Sequence, residues 1–328
     1  MHALPSSAKY LPQLLKDHKS EFLELIREHS RPLLPLSSGY APKGAVREEI
    51  RAVVFDIYGT LLISSRGEVG SDTAAGKPRP VSPGTPSLTE GPFTAALRRA
   101  GYTPLREVEE RAAVLYETLI RESHAADRAR GITHPEVDIL SIWERLLQTL
   151  AKEQRIDRKP YPYGVVTAAL GYELRSNRVW PMPGMREMLQ DLASRGALLG
   201  IVSNAQFYTP LMLEALLGVS LEELGITYQV WSYREREGKP SFHLFQLLLE
   251  RISREGRTLR PEECVYVGND MLNDMYPASI TGFHPVLFAG DARSLRLREK
   301  DPAVRSIEPE AVCTDLHQLS NIVTIKSM

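Results

Sequence analysis

Four short stretches hold side chains that could do chemistry together. The first is Val53-Val54-Phe55-Asp56-Ile57-Tyr58-Gly59-Thr60-Leu61-Leu62, where an apolar run ends in a carboxylate. Ile201-Val202-Ser203-Asn204 ends a second apolar run in a hydroxyl. Gly238-Lys239-Pro240 offers an ammonium, and Asn269-Asp270-Met271-Leu272-Asn273-Asp274 carries two acids four apart. A carboxylate with a free pKa of about 3.9 is already ionised at neutral pH, so it attacks an electrophile without a base. Its product is a covalent aspartyl intermediate that water then hydrolyses. Taken singly, each stretch has a plainer role. Asp56 would cap a helix or turn, Ser203 would cap, Lys239 would be a solvated surface group, and Asp270 with Asp274 would lie on an exposed helical face.

The surrounding elements decide between these roles. The run into Asp56 is short, β-branched and apolar on both faces, as in a strand buried inside a parallel sheet. Similar strands are expected at Ala197–Ser203, Thr227–Trp231, Glu263–Gly268 and Pro285–Phe288, with a final strand–helix pair near 311–323. Helices are expected from Gly184 to Ala193, Tyr208 to Leu217 and Ser241 to Ile252. Strands alternating with helices imply an α/β fold with a Rossmann-like parallel sheet and right-handed crossovers. Ligands bind such sheets outside the carboxyl ends of the strands, and all four stretches follow strand ends.

The remaining sequence divides into three parts. Residues 8–29 read as an amphipathic helix through Leu11, Leu14, Leu15, Phe22, Leu23 and Ile26, followed by a linker over 30–48. That arm packs on the body or, in a homodimer, on a second subunit. Residues 66–92 are rich in Gly and Pro and predict a mobile loop. The stretch 93–178 reads as helices at 93–101, 105–125, 136–154 and 161–175. The expected organisation is an N-terminal helix and linker (1–50), an α/β core (51–65 and 179–328), and an inserted loop plus all-helical cap (66–178).

Composition narrows the class of partner. The chain has 328 residues and a net charge of −1, so there is no global basic field for nucleic acid. No stretch reaches the roughly 20 apolar residues of a membrane span. The N-terminus shows no basic segment leading into an apolar one, and two well-separated cysteines fit a reducing, cytoplasmic setting. A small-molecule substrate is the expected partner.

The four stretches, in this order after these strands, resemble the motifs of the haloacid dehalogenase-like hydrolase superfamily. The resemblance covers about 51–62 and 179–290, and covers the helical insert by position. It implies that Asp56 is the nucleophile and that Thr60 completes the first motif. It implies that Ser203 and Asn204 bind the transferring group and that Lys239 is the third-motif lysine. Asp270 and Asp274 resemble the acidic fourth motif. Together with Asp56 and the Tyr58 carbonyl they are the expected ligands of Mg²⁺, which suits carboxylate and phosphate oxygens. The activity this implies is a Mg²⁺-dependent phosphatase acting on a small phosphorylated metabolite.

Two positions depart from that pattern. The family's phosphatases usually carry a second Asp where this chain has Tyr58, and Asp-x-Tyr-Gly-Thr is similar to the 2-haloacid dehalogenases, which need no metal. Asn269 stands where many phosphatases carry the first fourth-motif Asp, which shifts the expected metal role to Asp270. Against the dehalogenase alternative, Phe245 stands where those enzymes carry a tyrosine. The pattern is also compatible with a phosphonatase-like C–X hydrolase and with a non-catalytic metabolite-binding protein.

Overall fold

The computed structural model describes residues 7–67, 90–105 and 107–326. The mobile-loop expectation for 66–92 falls mostly outside them. In chain order the strands are β1 (Lys43–Gly44), β2 (Glu49–Ile50), β3 (Ala52–Phe55), β4 (Leu62–Ser64), β5 (Val179–Pro181), β6 (Leu198–Ser203), β7 (Ile226–Trp231), β8 (Cys264–Gly268), β9 (His284–Phe288), β10 (Ala311–Cys313) and β11 (Thr324–Ile325). Seven of them form one sheet in the order β1-β10-β9-β8-β3-β6-β7. All its pairings are parallel except β1 with β10. The chain is therefore an α/β protein built on a Rossmann-like sheet.

β3 lies inside the sheet, between β8 and β6, because its residues can be buried on both faces. Ala52, Val53, Val54 and Phe55 are each almost wholly inaccessible. Burying a Val or Phe side chain contributes about 1.5–3 kcal/mol, which favours the middle of the sheet over its edge. Phe55 pairs with Ile201 on β6 and with Val267 on β8. The next residue, Asp56, thus emerges between the carboxyl ends of β6 and β8.

The helices are α1 (Ser7–His29), α2 (Pro92–Arg99), α3 (Val108–Ala129), α4 (Ile139–Lys152), α5 (Pro162–Ser176), α6 (Met185–Ser194), α7 (Tyr208–Leu217), α8 (Ser232–Glu235), α9 (His243–Arg254), α10 (Tyr276–Thr281) and α11 (Leu319–Ile322). Two compact units result. One holds the described parts of Met1–Leu25 and Gly70–Gly131, with Val137–Asn177, and its described regular elements are helices. Phe93, Tyr116, Trp143 and Tyr172 meet at its centre with ring centroids 4.4–5.9 Å apart. Tyr163 of α5 stacks on Phe22 of α1 at 5.6 Å and donates to Glu21 at 2.8 Å, so α1 packs with the inserted helices past its midpoint.

The other unit holds the described parts of Ile26–Val69 and Arg178–Met328, with Ile132–Glu136. Here the structure differs from the helix expected over 136–154. α4 begins at Ile139 because the Asp138 side chain accepts the Leu140 N–H at 3.1 Å and caps it. Glu136 is left outside that helix and folds with the sheet.

Candidate active site

The site forms where β3, β6 and β8 end. Asp56 is only 6% exposed, and its Oδ1 accepts from Ser203 Oγ at 2.9 Å and from Lys239 Nζ at 2.6 Å. Its backbone N–H donates to Val267 O at 2.9 Å, which fixes the residue at the carboxyl end of the strands. Among the described residues no protein group donates to Oδ2. That oxygen is the one available to an electrophile.

Lys239 spends all three ammonium protons on the protein. Besides Asp56, Nζ donates to Asp274 Oδ1 at 2.6 Å and to Tyr266 Oη at 2.9 Å. Burial by itself would push its pKa down, but the Asp274 and Asp56 carboxylates outweigh that and the result is upward. The group is a fixed cation. Tyr266 sends its own proton to Val202 O at 2.7 Å, and burial together with both carboxylates holds its pKa well above the usual tyrosine range. Sequence reasoning missed Tyr266, which sits inside the β8 run. Its ring packs 4.7 Å from Phe245, the position where a dehalogenase would carry its tyrosine. The hydroxyl therefore reaches Lys239 from the sheet rather than from α9.

Asp274 is saturated. Oδ1 takes Lys239 and lies 3.2 Å from Tyr266 Oη, while Oδ2 takes the Asn269 and Asp270 N–H groups at 2.9 Å each. Gly268 permits this approach, since a Cβ there would lie 2.4 Å from the Asp274 carboxyl carbon. Burial raises the Asp274 pKa to about 7, with the charges of Asp56 and Asp270 adding to it against the pull of Lys239.

Asp270 faces elsewhere. Its Oδ1 accepts from the Leu272 and Asn273 N–H groups at 2.8 and 3.2 Å, capping the helical turn that follows. The Arg298 guanidinium grips it in a fork, with Nη2 2.7 Å from Oδ2 and Nε 3.2 Å from each oxygen. The residue that turns toward the first motif is Asn269. It accepts from Thr60 Oγ1 at 3.0 Å and donates to Ser294 O at 2.6 Å. Gly59, at φ +86°, lets this contact form, because a Cβ would sit 2.7 Å from the Asn269 amide nitrogen.

This geometry corrects the expected metal set. Asp56, Asp270 and Asp274 do not converge on one point. Among the described residues the one convergent group of this kind is Glu48, His284 and Glu310, at β9 and the segments before β2 and β10. Asp270 is neutralised by Arg298, and Asp274 has three donors of its own. The donor set does not fit Mg²⁺ held by Asp270 and Asp274.

Asn204 takes a different place from the one expected, and the Tyr58 side chain turns away as a role for its carbonyl alone allows. Asn204 ties both ends of its amide to the Lys239 backbone, accepting its N–H at 2.7 Å and donating to its carbonyl at 3.1 Å. It braces the lysine loop rather than facing a ligand. Tyr58, buried, shares a hydrogen bond with Thr209 on α7 at 2.8 Å, so its side chain leaves the site. Cysteine chemistry plays no part in this pocket. Cys264 and Cys313 are buried in β8 and β10, with burial pushing both thiols upward, Cys313 to about 12.

A strand-end aspartate gripped by a serine and a buried lysine is the arrangement expected of hydrolases that form an aspartyl intermediate. The family profile of haloacid dehalogenase-like hydrolases matches residues 50–278, and the chain belongs to this family of hydrolases. Among solved structures, a 2-haloacid dehalogenase from Pseudomonas syringae pv. Tomato DC3000 is 18% identical, with a TM-score of 0.49, over 83% of this chain and 97% of that one. A predicted phosphoglycolate phosphatase from Haemophilus somnus 129pt is 16% identical, with a TM-score of 0.43, over 84% and 99%. A HAD-hydrolase from Bacillus subtilis bound to magnesium is 16% identical, with a TM-score of 0.43, over 85% and 100%. The search of curated proteins gives no match. Among the described residues, no helix is long and apolar enough to cross a membrane.

Proposed function

We propose that the chain hydrolyses a small substrate through an ester formed on Asp56, with displacement at carbon as in a 2-haloacid dehalogenase. The observation that carries this reading is the commitment of the fourth-motif acids: Asp270 to Arg298, Asp274 to Lys239 and two backbone N–H groups. Asp56 has only the Lys239 ammonium beside it, and shares it with Asp274. That suits attack on a carbon centre better than the approach of a phosphoryl dianion.

The residues divide the work as follows. Asp56 Oδ2 attacks the carbon, a C–O bond forms, and the halide leaves with its bonding electrons. Water then adds to the Asp56 carboxyl carbon. The oxyanion that develops there is Oδ1, already held by Lys239 Nζ and Ser203 Oγ at 2.6 and 2.9 Å. Donors already aimed at a developing oxyanion lower the barrier strongly, because they need no reorganisation as the charge appears. Collapse releases the alcohol and restores the carboxylate. One proton of the water goes to the departing alkoxide and the other to solvent.

A second reading, the Mg²⁺-dependent phosphatase, is favoured by one observation. Asp56 and Asp274 share a single ammonium, so the pocket is short of positive charge. In that reading Asp56 and the Tyr58 carbonyl would hold the cation, which would supply charge neutralisation for a phosphorylated substrate.

The experiment is a panel of 2-haloacids and phosphate monoesters, each assayed with Mg²⁺ and with excess chelator. Halide release that is undiminished by chelator supports displacement at carbon. Phosphate release that requires Mg²⁺, without halide release, replaces it with the second reading.

A further inference from the structure

The link between α3 and α4 folds apart from the helices it joins. Its residues Ile132–Glu136 belong with the sheet. There, Pro135 pairs antiparallel with Glu237, Gly238 donates to His134 O at 2.8 Å, and Glu136 donates to Arg236 O at 3.1 Å. Arg236 has φ +61°, a left-handed conformation that costs a residue with a side chain and persists only where its surroundings enforce it. The strap thus borders the three residues that lead into Lys239.

The Glu136 side chain extends the same grip to the second motif. One carboxylate oxygen accepts from Gln206 Nε2 at 3.1 Å and the other from Ser232 Oγ at 2.8 Å. Ser232 Oγ in turn accepts the Ala205 N–H at 2.9 Å. Ala205 is two residues past Ser203, and Asn204 between them is bonded to the Lys239 backbone at both ends of its amide. One carboxylate therefore fastens the loop carrying Ser203, and its own backbone fastens the loop carrying Lys239.

We propose that Glu136 is a positioning residue for catalysis. Through Ser232 and the 132–136 strap it sets where Ser203 and Lys239 meet Asp56. This rests on the reading of Ser203 and Lys239 as the groups that hold the reacting carboxylate. Hydrogen bonds to a charged carboxylate are among the stronger ones in a protein, enough to set the resting position of two short loops.

The test is amide hydrogen exchange on the full chain for wild type, Glu136→Ala, Glu136→Gln and Ser232→Ala, alongside kcat, KM and thermal unfolding. It needs no substrate for its first arm, so it stands even if no panel compound is turned over. The expected result is faster exchange, by about tenfold or more, confined to 204–206 and 236–239 in Glu136→Ala. Ser232→Ala should loosen 204–206 more than 236–239. With a turned-over substrate, kcat should fall while KM holds. Glu136→Gln keeps the Ser232 bond but sets an amide against Gln206, and should lie between the two; it serves if the alanine variant does not fold. Unchanged exchange at those loops, or a rise spread evenly over the α/β unit, overturns the proposal, as does an equal loss in every kinetic and stability measure.

Discussion

Tyr266 Oη stands 2.9 Å from Lys239 Nζ and completes the ammonium's coordination by three protein acceptors. The lysine cannot swing toward a ligand without breaking one of these bonds. It acts from where it is fixed. Its effect on Asp56 is set by a tyrosine on the neighbouring strand as much as by its own loop.

Removal of that hydroxyl should therefore be felt. Tyr266→Phe leaves one N–H of a buried ammonium unpaired, at a cost of about 1–3 kcal/mol. Chemical denaturation is the measurement, and a change under about 0.5 kcal/mol, the size of an ordinary surface substitution, would count against the assignment. Turnover should fall as well, since the oxyanion donor loses its third anchor.

Asp56→Asn replaces the proposed nucleophile with a near-isosteric amide. Turnover should be abolished while the circular dichroism spectrum stays that of the wild type. Rapid-quench mass spectrometry should find a substrate-derived adduct on the peptide containing Asp56 in wild type and none in the variant. Substantial turnover by the pure variant would remove the residue from the nucleophile's role.

Asp274 predicts a pH effect with a definite sign. Its folded pKa is raised from 3.8 to about 7, so the native state holds the proton over a range where the unfolded chain has released it. The stabilisation is complete below the unfolded value and is lost as pH rises through about 7. Denaturation at stepped pH should show this decline in wild type and a flatter dependence in Asp274→Asn. A steeper fall in the variant would reverse the assignment.

Arg298→Gln should alter the fourth motif without touching Asp56. Asp270 keeps its cap bonds to Leu272 and Asn273 but loses the guanidinium that balances its charge. Loss of a charged hydrogen-bonded partner costs about 1–3 kcal/mol. The bared carboxylate should also bind divalent cations more tightly than wild type, which Mn²⁺ titration calorimetry would measure. Equal Mn²⁺ affinity in the two proteins would mean that Arg298 does not govern the site.

Much of the frame was legible because a parallel strand leaves a plain mark: a short two-sided apolar run ending in a polar residue. Asp56 and Ser203 were found that way, Lys239 only by its place in the order of the motifs, and the three do meet. The fourth motif was harder. Asn269, Asp270 and Asp274 follow one strand within six residues, and residue type does not tell which carboxylate turns inward. Arg298, which turns Asp270 aside, lies 28 residues further on. Tyr266 was hidden because an aromatic inside a strand ordinarily signals core. The start of α4 was misplaced although Asp138 carried a cap signal, and with it went the identity of the strap that ends at Glu136.

The Tyr58–Thr209 hydrogen bond bears on any attempt to redesign this enzyme. Tyr58→Asp would put the acid usual in phosphatases back into the first motif. It would also strand the Thr209 hydroxyl, which is wholly buried, and open a gap beside the Met212 sulfur, 3.9 Å from the tyrosine oxygen. Substitutions on α7 would have to accompany the change. The two chemistries are therefore separated by a coordinated set of replacements, and a one-residue library at position 58 would sample mainly damaged protein.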